Sequence, residues 1–151
     1  MLSTTLNIHV DVLAKITQEA ARIKKSRKFV IIQLFMHIMK NYQLFMRGFS
    51  TVKYQPDDVK KNWHCFHIRF REDENEFFVD LRKVCKFSVS YLLAKAVDLY
   101  LDKLWEEDGE RCVDNYRLFS NYVLHHEVVD GINSLHLYWG YPEKHLKTLN
   151  L

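Results

Sequence analysis

"HCFHIRF", residues 64–70, alternates in a way that only an extended chain can use: Phe66, Ile68 and Phe70 fall on one side, Cys65, His67 and Arg69 on the other. "TTLNIHV", residues 4–10, does the same, with Leu6, Ile8 and Val10 set against Thr5, Asn7 and His9. Two half-apolar strands, one near the start of the chain and one near its middle, frame everything between and after them.

The segment after the first strand reads as two helices. From Asp11 to Lys25, Leu13, Ile16, Ala20 and Ile23 recur at helical spacing, with Lys15, Gln18, Glu19 and Arg22 on the remaining surface. The basic run "KKSRK" breaks this helix. Ser26 then offers an N-cap to a second helix, from Arg27 to about Phe45, that is apolar almost all round and so expects burial on most sides.

The second half repeats the order. After "HCFHIRF" comes "EDENEFFVDLRKVCKF", with Phe77, Phe78, Leu81, Val84 and Cys85 on one face. "SVSYLLAKAVDLYLDKLW" comes next, capped by Ser88 and striped by Leu93, Val97, Tyr100, Leu101 and Leu104. Matching Leu6, Ile8 and Val10 to Phe66, Ile68 and Phe70 sets the copies 60 residues apart, whereas Ser26 and Ser88 are 62 apart. This reading inserts two residues between strand and first helix in the second copy. Neither copy can cover its own strand face and helices, so the two are expected to pack on each other.

The segmentation that results is a first repeat over residues 1–46, a linker over 47–62, a second repeat over 63–105 and an extension over 106–151. The linker stretch "MRGFSTVKYQPDDVKKN" carries a Gly, a Pro and mixed charges, as a surface connection would. In the extension, "YVLHHEVVDGINSLHLYWGYP" places two β-runs around an Asp-Gly turn, a hairpin candidate. Its aromatics, with Tyr116 and Phe119 before it, suit a packed element better than a disordered tail.

Composition narrows the class. At 151 residues, 48% hydrophobic and 27% charged, the chain has the make-up of a folded, soluble protein with one ordinary core. Only four Gly and two Pro argue for helices over a many-turned β fold, so a mainly α chain with one small antiparallel ribbon is expected. Cys65, Cys85 and Cys112 are odd in number and form no CxxC pair, which reads as free thiols in a reducing cytoplasm. The longest apolar region, "FVIIQLFMHIM", is too short for a membrane span and is interrupted by Gln33 and His37. No secretion signal is read at the N-terminus.

Chemistry of other kinds finds little footing. His64, Cys65 and His67, and His125, His126 and His136, supply metal-ligand types without a recognised zinc spacing, so neither a metal nor a cofactor is expected. No Ser/His/Asp arrangement, phosphate-binding glycine loop or HExxH appears, and the chain is not read as an enzyme.

Over residues 3–105, strand, helix, turn, helix occurring twice, with Ser26 and Ser88 before the second helices, resembles the ribbon-helix-helix family of Arc, MetJ and CopG type, in its tandem single-chain form. The resemblance implies two intertwined copies whose strands form an antiparallel ribbon for the DNA major groove. It makes base readers of Thr5, Asn7, His9, Cys65, His67 and Arg69, with Asn7 suited to adenine and Arg69 to guanine. It places backbone phosphates at the N-termini of the second helices, against Ser26 and Arg27 in one copy and Ser88, Val89 and Ser90 in the other, with Lys24, Lys25 and Lys28 adding charge.

The function so implied is sequence-specific binding of double-stranded DNA as a transcriptional regulator such as a repressor. The protein would be cytoplasmic, nucleoid-associated when bound, and a homodimer or cooperative assembly on a non-palindromic site. Relaxosome or plasmid accessory binding is the nearest alternative. The weak charge of the first strand, which has no Arg or Lys, favours a third reading, a scaffold repurposed for protein interaction. For the strand faces the bland reading is a solvated sheet surface, and for "KKSRK" a solvated helix end.

Overall fold

A computed structural model describes residues 2–47, 50–57, 62–105 and 122–139. Strand β1 (Leu2–His9) leads into helices α1 (Val10–Arg22) and α2 (Arg27–Lys40); strand β2 (Trp63–Phe70) leads into α3 (Glu72–Cys85) and α4 (Val89–Tyr100). β1 and β2 pair antiparallel, and a second two-stranded antiparallel sheet joins β3 (Tyr122–Val129) to β4 (Ile132–Trp139). The chain divides into two compact units, residues 1–112 and 113–151.

The expectation of a mainly α chain with one small ribbon is corrected by these elements. Among the described residues, four strands of eight residues stand beside helices of 13, 14, 14 and 12, so this part of the chain is about half helical and carries two separate sheets. The scarcity of Gly and Pro misled because β1 and β2 are joined through two helices and need no tight turn. The other pair needs only one. There Asp130 (φ 52°) and Gly131 (φ 77°) both adopt positive φ in a two-residue hairpin loop, the conformation for which Asp-Gly is suited.

Local chemistry sets the helix ends. Ser26 and Ser88 cap α2 and α4, their hydroxyls accepting from the backbone N–H of Phe29 (3.1 Å) and Tyr91 (3.2 Å). Lys24 (φ 54°) and Lys86 (φ 56°) stop α1 and α3 in left-handed backbone, the Lys25 N–H reaching back to the Ala20 carbonyl at 3.0 Å. Caps and stops thus recur 62 residues apart, and so do the buried strand residues: Leu6 answers to Ile68, and Ile8 to Phe70. One offset of 62 therefore replaces the offset of 60 with its insertion. A shift of two residues keeps the same strand face inward, so alternation alone could not separate the two alignments. Val10, which the offset of 60 assigned to the inner strand face, instead opens α1 and is 46% exposed.

The core of the first unit lies beneath the β1–β2 sheet. Leu6, Ile8, Ile68 and Phe70 are buried there, and Phe70 meets Phe78 edge-on at 4.4 Å between ring centroids. Phe78 in turn contacts Phe35 of α2 at 4.8 Å and Phe77 at 5.3 Å, so aromatic packing links the two copies. Helix α2 packs against α1 and α4 and buries Val30, Ile31, Leu34, Phe35 and Ile38 completely. That burial is why its apolar residues run all round the helix.

Trp105 ties the segment beyond α4 to α1. Its indole N–H donates to Glu19 Oε1 at 2.6 Å, while Arg22 donates to both Glu19 oxygens at 2.9 and 2.6 Å. The Arg22 hydrogen bonds hold the Glu19 carboxyl below its ordinary 4.5, against a desolvation cost, with Trp105 adding to the effect. A carboxyl lowered in the folded state contributes stability above its unfolded pKa and loses it as pH falls through the folded value. Glu19→Gln is therefore expected to flatten the acid limb of stability below about pH 4.5, measured by urea unfolding across pH. An unchanged acid limb would show that this carboxylate makes no net contribution.

Candidate nucleic-acid interface

The outer face of the β1–β2 sheet is built by odd-numbered residues. The register sets Ser3 opposite Arg69, Thr5 opposite His67, Asn7 opposite Cys65, and His9 opposite Trp63. At the 62-residue offset, Thr5 and His67 are equivalent positions that face each other, so the approximate two-fold relation between the copies passes between them. Asn7 and Arg69 are then equivalents on opposite sides of that two-fold relation. Arg69 sits across from Ser3, so it is displaced from Asn7 along β1 by ~13 Å, or about four base-pair steps at 3.3–3.4 Å per residue.

Five of the six expected base readers are exposed: Thr5, Asn7, Cys65, His67 and Arg69. His9 is not. It is only 6% exposed, with its ring 3.9 Å from that of Trp63, and it occupies the cap position of α1. The alternation that put His9 on the polar face was correct in phase, but Trp63 covers it. Two further members of the face escaped the sequence reading, exposed Ser3 and half-buried Trp63. Carrying each alternation two residues further toward the N-terminus would have found both.

Hydrogen bonding at the centre is internal. Thr5 Oγ1 and His67 Nδ1 are 2.9 Å apart, which leaves Nε2 as the ring nitrogen open to a further partner. Among the described residues no carboxylate pairs with the Arg69 guanidinium, so this face carries one uncommitted cation.

The α2 end of the face is basic, with Lys24, Lys25 and Arg27 exposed. Lys25 Nζ lies 5.6 Å from the Phe29 ring centroid, and the Arg27 guanidinium 6.0 Å from that of Phe66. Lys28 departs from its expected role as a phosphate contact. Its ammonium is 3.0 Å from Glu74, a fully buried carboxylate on α3, and a buried charge needs such a counter-ion. Ser26 acts through its cap, its hydroxyl taking up the Phe29 N–H of the first turn of α2.

The α4 end is different. Ser90 Oγ accepts the Asn7 backbone N–H at 3.1 Å, tying the helix to β1. The Ser88 N–H donates to the Lys53 carbonyl at 2.7 Å, while the Lys53 N–H donates to the Lys86 carbonyl at 2.8 Å. Tyr54 Oη accepts from Arg82 at 3.3 Å. A stretch of the linker is thereby laced beside α4, and the Ser88 backbone donor expected to meet phosphate is already used. Val89, Ser88 and Ser90 line an open cleft of about 570 Å³ with Asn7, Trp63 and Arg82 among its other walls.

The thiols separate cleanly. Cys65 is exposed on the polar face, whereas Cys85 is fully buried, its pKa pushed up to about 12 by desolvation. Cys112 lies outside the described residues. In a chain carrying Cys112→Ser, one equivalent of maleimide is expected to react at Cys65 at neutral pH without denaturant, with Cys85 reacting only on unfolding; mass spectrometry of the peptides distinguishes them. Rapid labelling of Cys85 in the folded chain would contradict this burial.

Among the described residues no helix is long and apolar enough to cross a membrane. No family model, curated protein or solved structure matches this chain.

Proposed function

We propose that the protein binds double-stranded DNA sequence-specifically through the β1–β2 face and acts as a transcriptional regulator. The observation that carries this reading is a two-stranded antiparallel sheet that is apolar and buried beneath, yet exposes Thr5, Asn7, Cys65, His67 and Arg69 above. A two-stranded ribbon fits the major groove, where Asn is matched to adenine N6 and N7 and Arg to guanine O6 and N7. Lys24, Lys25 and Arg27 would engage phosphates at one end of the face. Bound to its site, the protein would travel with the nucleoid.

The unequal ends favour a non-palindromic footprint, with an adenine contact and a guanine contact about four base pairs apart on the ~13 Å spacing. Selection of binders from a random duplex pool by the purified chain tests this. The expected result is an asymmetric motif. No retention even at low salt, where phosphate contacts are strongest, would overturn the DNA reading. A protein-interaction role would then be favoured, since this face carries only one cation of its own.

A further inference from the structure

We propose that the β3–β4 hairpin binds a divalent transition-metal ion between His125 and His136, a site of its own that does not depend on the DNA reading. The register sets these two residues directly opposite each other, which puts both side chains on the same face of the hairpin. Their ring centroids are 6.3 Å apart with the rings inclined at 30°. Directly opposed strand positions hold their Cβ atoms ~5 Å apart, and a metal–imidazole bond is about 2.0–2.1 Å. Side-chain rotations would then bring one nitrogen from each ring onto a shared cation.

His125 is half-buried and His136 exposed, and Glu127 lies two residues from His125 on the same face, as a carboxylate able to balance charge nearby. Among the described residues, no group of three or more His, Cys, Asp or Glu gathers as a complete metal shell. Two imidazoles are therefore the described part of the shell, and solvent would fill further positions. Paired imidazoles suit nickel, copper and zinc, and exclude the hard cations magnesium and calcium, which need oxygen donors. A cross-strand ligand pair would also brace the pairing of β3 with β4.

His126 supplies the internal control. It points to the opposite face, and its Nε2 lies 3.1 Å from Asn133 Oδ1. Calorimetric titration of the full chain with Ni²⁺ is the test; imidazole suits this ion, whereas the thiols of the chain favour zinc. His125→Asn and His136→Asn are each expected to weaken binding at least tenfold, and His126→Asn to leave it unchanged. Equal affinity in all three variants, or a loss confined to His126→Asn, would overturn the site. A measurement on the unaltered chain guards against variants that disturb the hairpin. In imidazole ¹H–¹⁵N spectra, substoichiometric Ni²⁺ is expected to broaden the ring resonances of His125 and His136 together and before those of His126, and His125 and His136 resonances that stay sharp would equally overturn the proposal.

Discussion

Lys28→Met is expected to destabilise the protein by about 2–3 kcal/mol, read as a fall in the urea midpoint at unchanged m-value. Lys28 sits in the first turn of α2 in the first copy, and Glu74 in the first turn of α3 in the second; their charges meet at 3.0 Å while Glu74 remains fully buried. Glu74 also accepts the Arg71 backbone N–H at 2.9 Å, with the Arg71 guanidinium 3.7 Å from its other oxygen. Removing one partner of a buried pair typically costs about 3–5 kcal/mol, because a charge is left without compensation. The expected loss is set below that range because Arg71 remains and the Lys28 side chain is itself a third exposed. The double variant Lys28→Met with Glu74→Leu should recover most of the stability, since apolar groups of similar volume can replace such a pair at little cost. If Lys28→Met costs less than about 0.5 kcal/mol, within the ordinary range of surface substitutions, the pair does not lock the two copies together.

Arg69→Ala is the second large effect, and it falls on binding. A well-formed bidentate contact to guanine contributes ~1–3 kcal/mol of discrimination, so affinity for the selected duplex should fall roughly 5- to 150-fold. Preference at one base pair should relax as well. The urea midpoint should not move, because Arg69 is exposed on the outer face. Lys24→Ala and Lys25→Ala should behave differently, weakening all sequences alike and reducing the salt dependence by about one phosphate contact each. An Arg69→Ala chain that binds the selected and scrambled duplexes as the parent does would remove Arg69 as a reader.

The parts of this architecture legible in the sequence were those governed by local rules. Alternation placed the strands because a half-buried strand must alternate. Ser26 and Ser88 marked the starts of α2 and α4 because a helix needs its first N–H groups satisfied. The Asp-Gly pair marked the β3–β4 turn because few other residues accept two positive φ angles in succession.

Features set by contacts distant along the chain were hidden. The true offset of 62 rested on which residues pair, since any even shift preserves the pattern. His9 looked exposed until its opposite number proved to be Trp63. Lys28 looked like one more member of a basic run, and nothing local announces that Glu74, 46 positions later, is buried and needs it. The same applies to Ser90, whose partner is the Asn7 backbone, and to the linker residue Lys53, whose carbonyl takes the Ser88 donor. The mainly α expectation failed for a related reason: counting turn-formers measures tight turns, and strands joined through helices have none.

Cys65 offers the most direct test, because it lies on the polar face opposite Asn7 and is open to solvent. The measurement is its rate of maleimide labelling, in the chain carrying Cys112→Ser, with and without saturating duplex from the selected pool. A DNA-reading β1–β2 face predicts strong protection by the selected duplex and little by the same concentration of scrambled sequence. Labelling of Cys65 at an undiminished rate, with the duplex demonstrably bound, would place the DNA elsewhere on the molecule and contradict a reading role for this face.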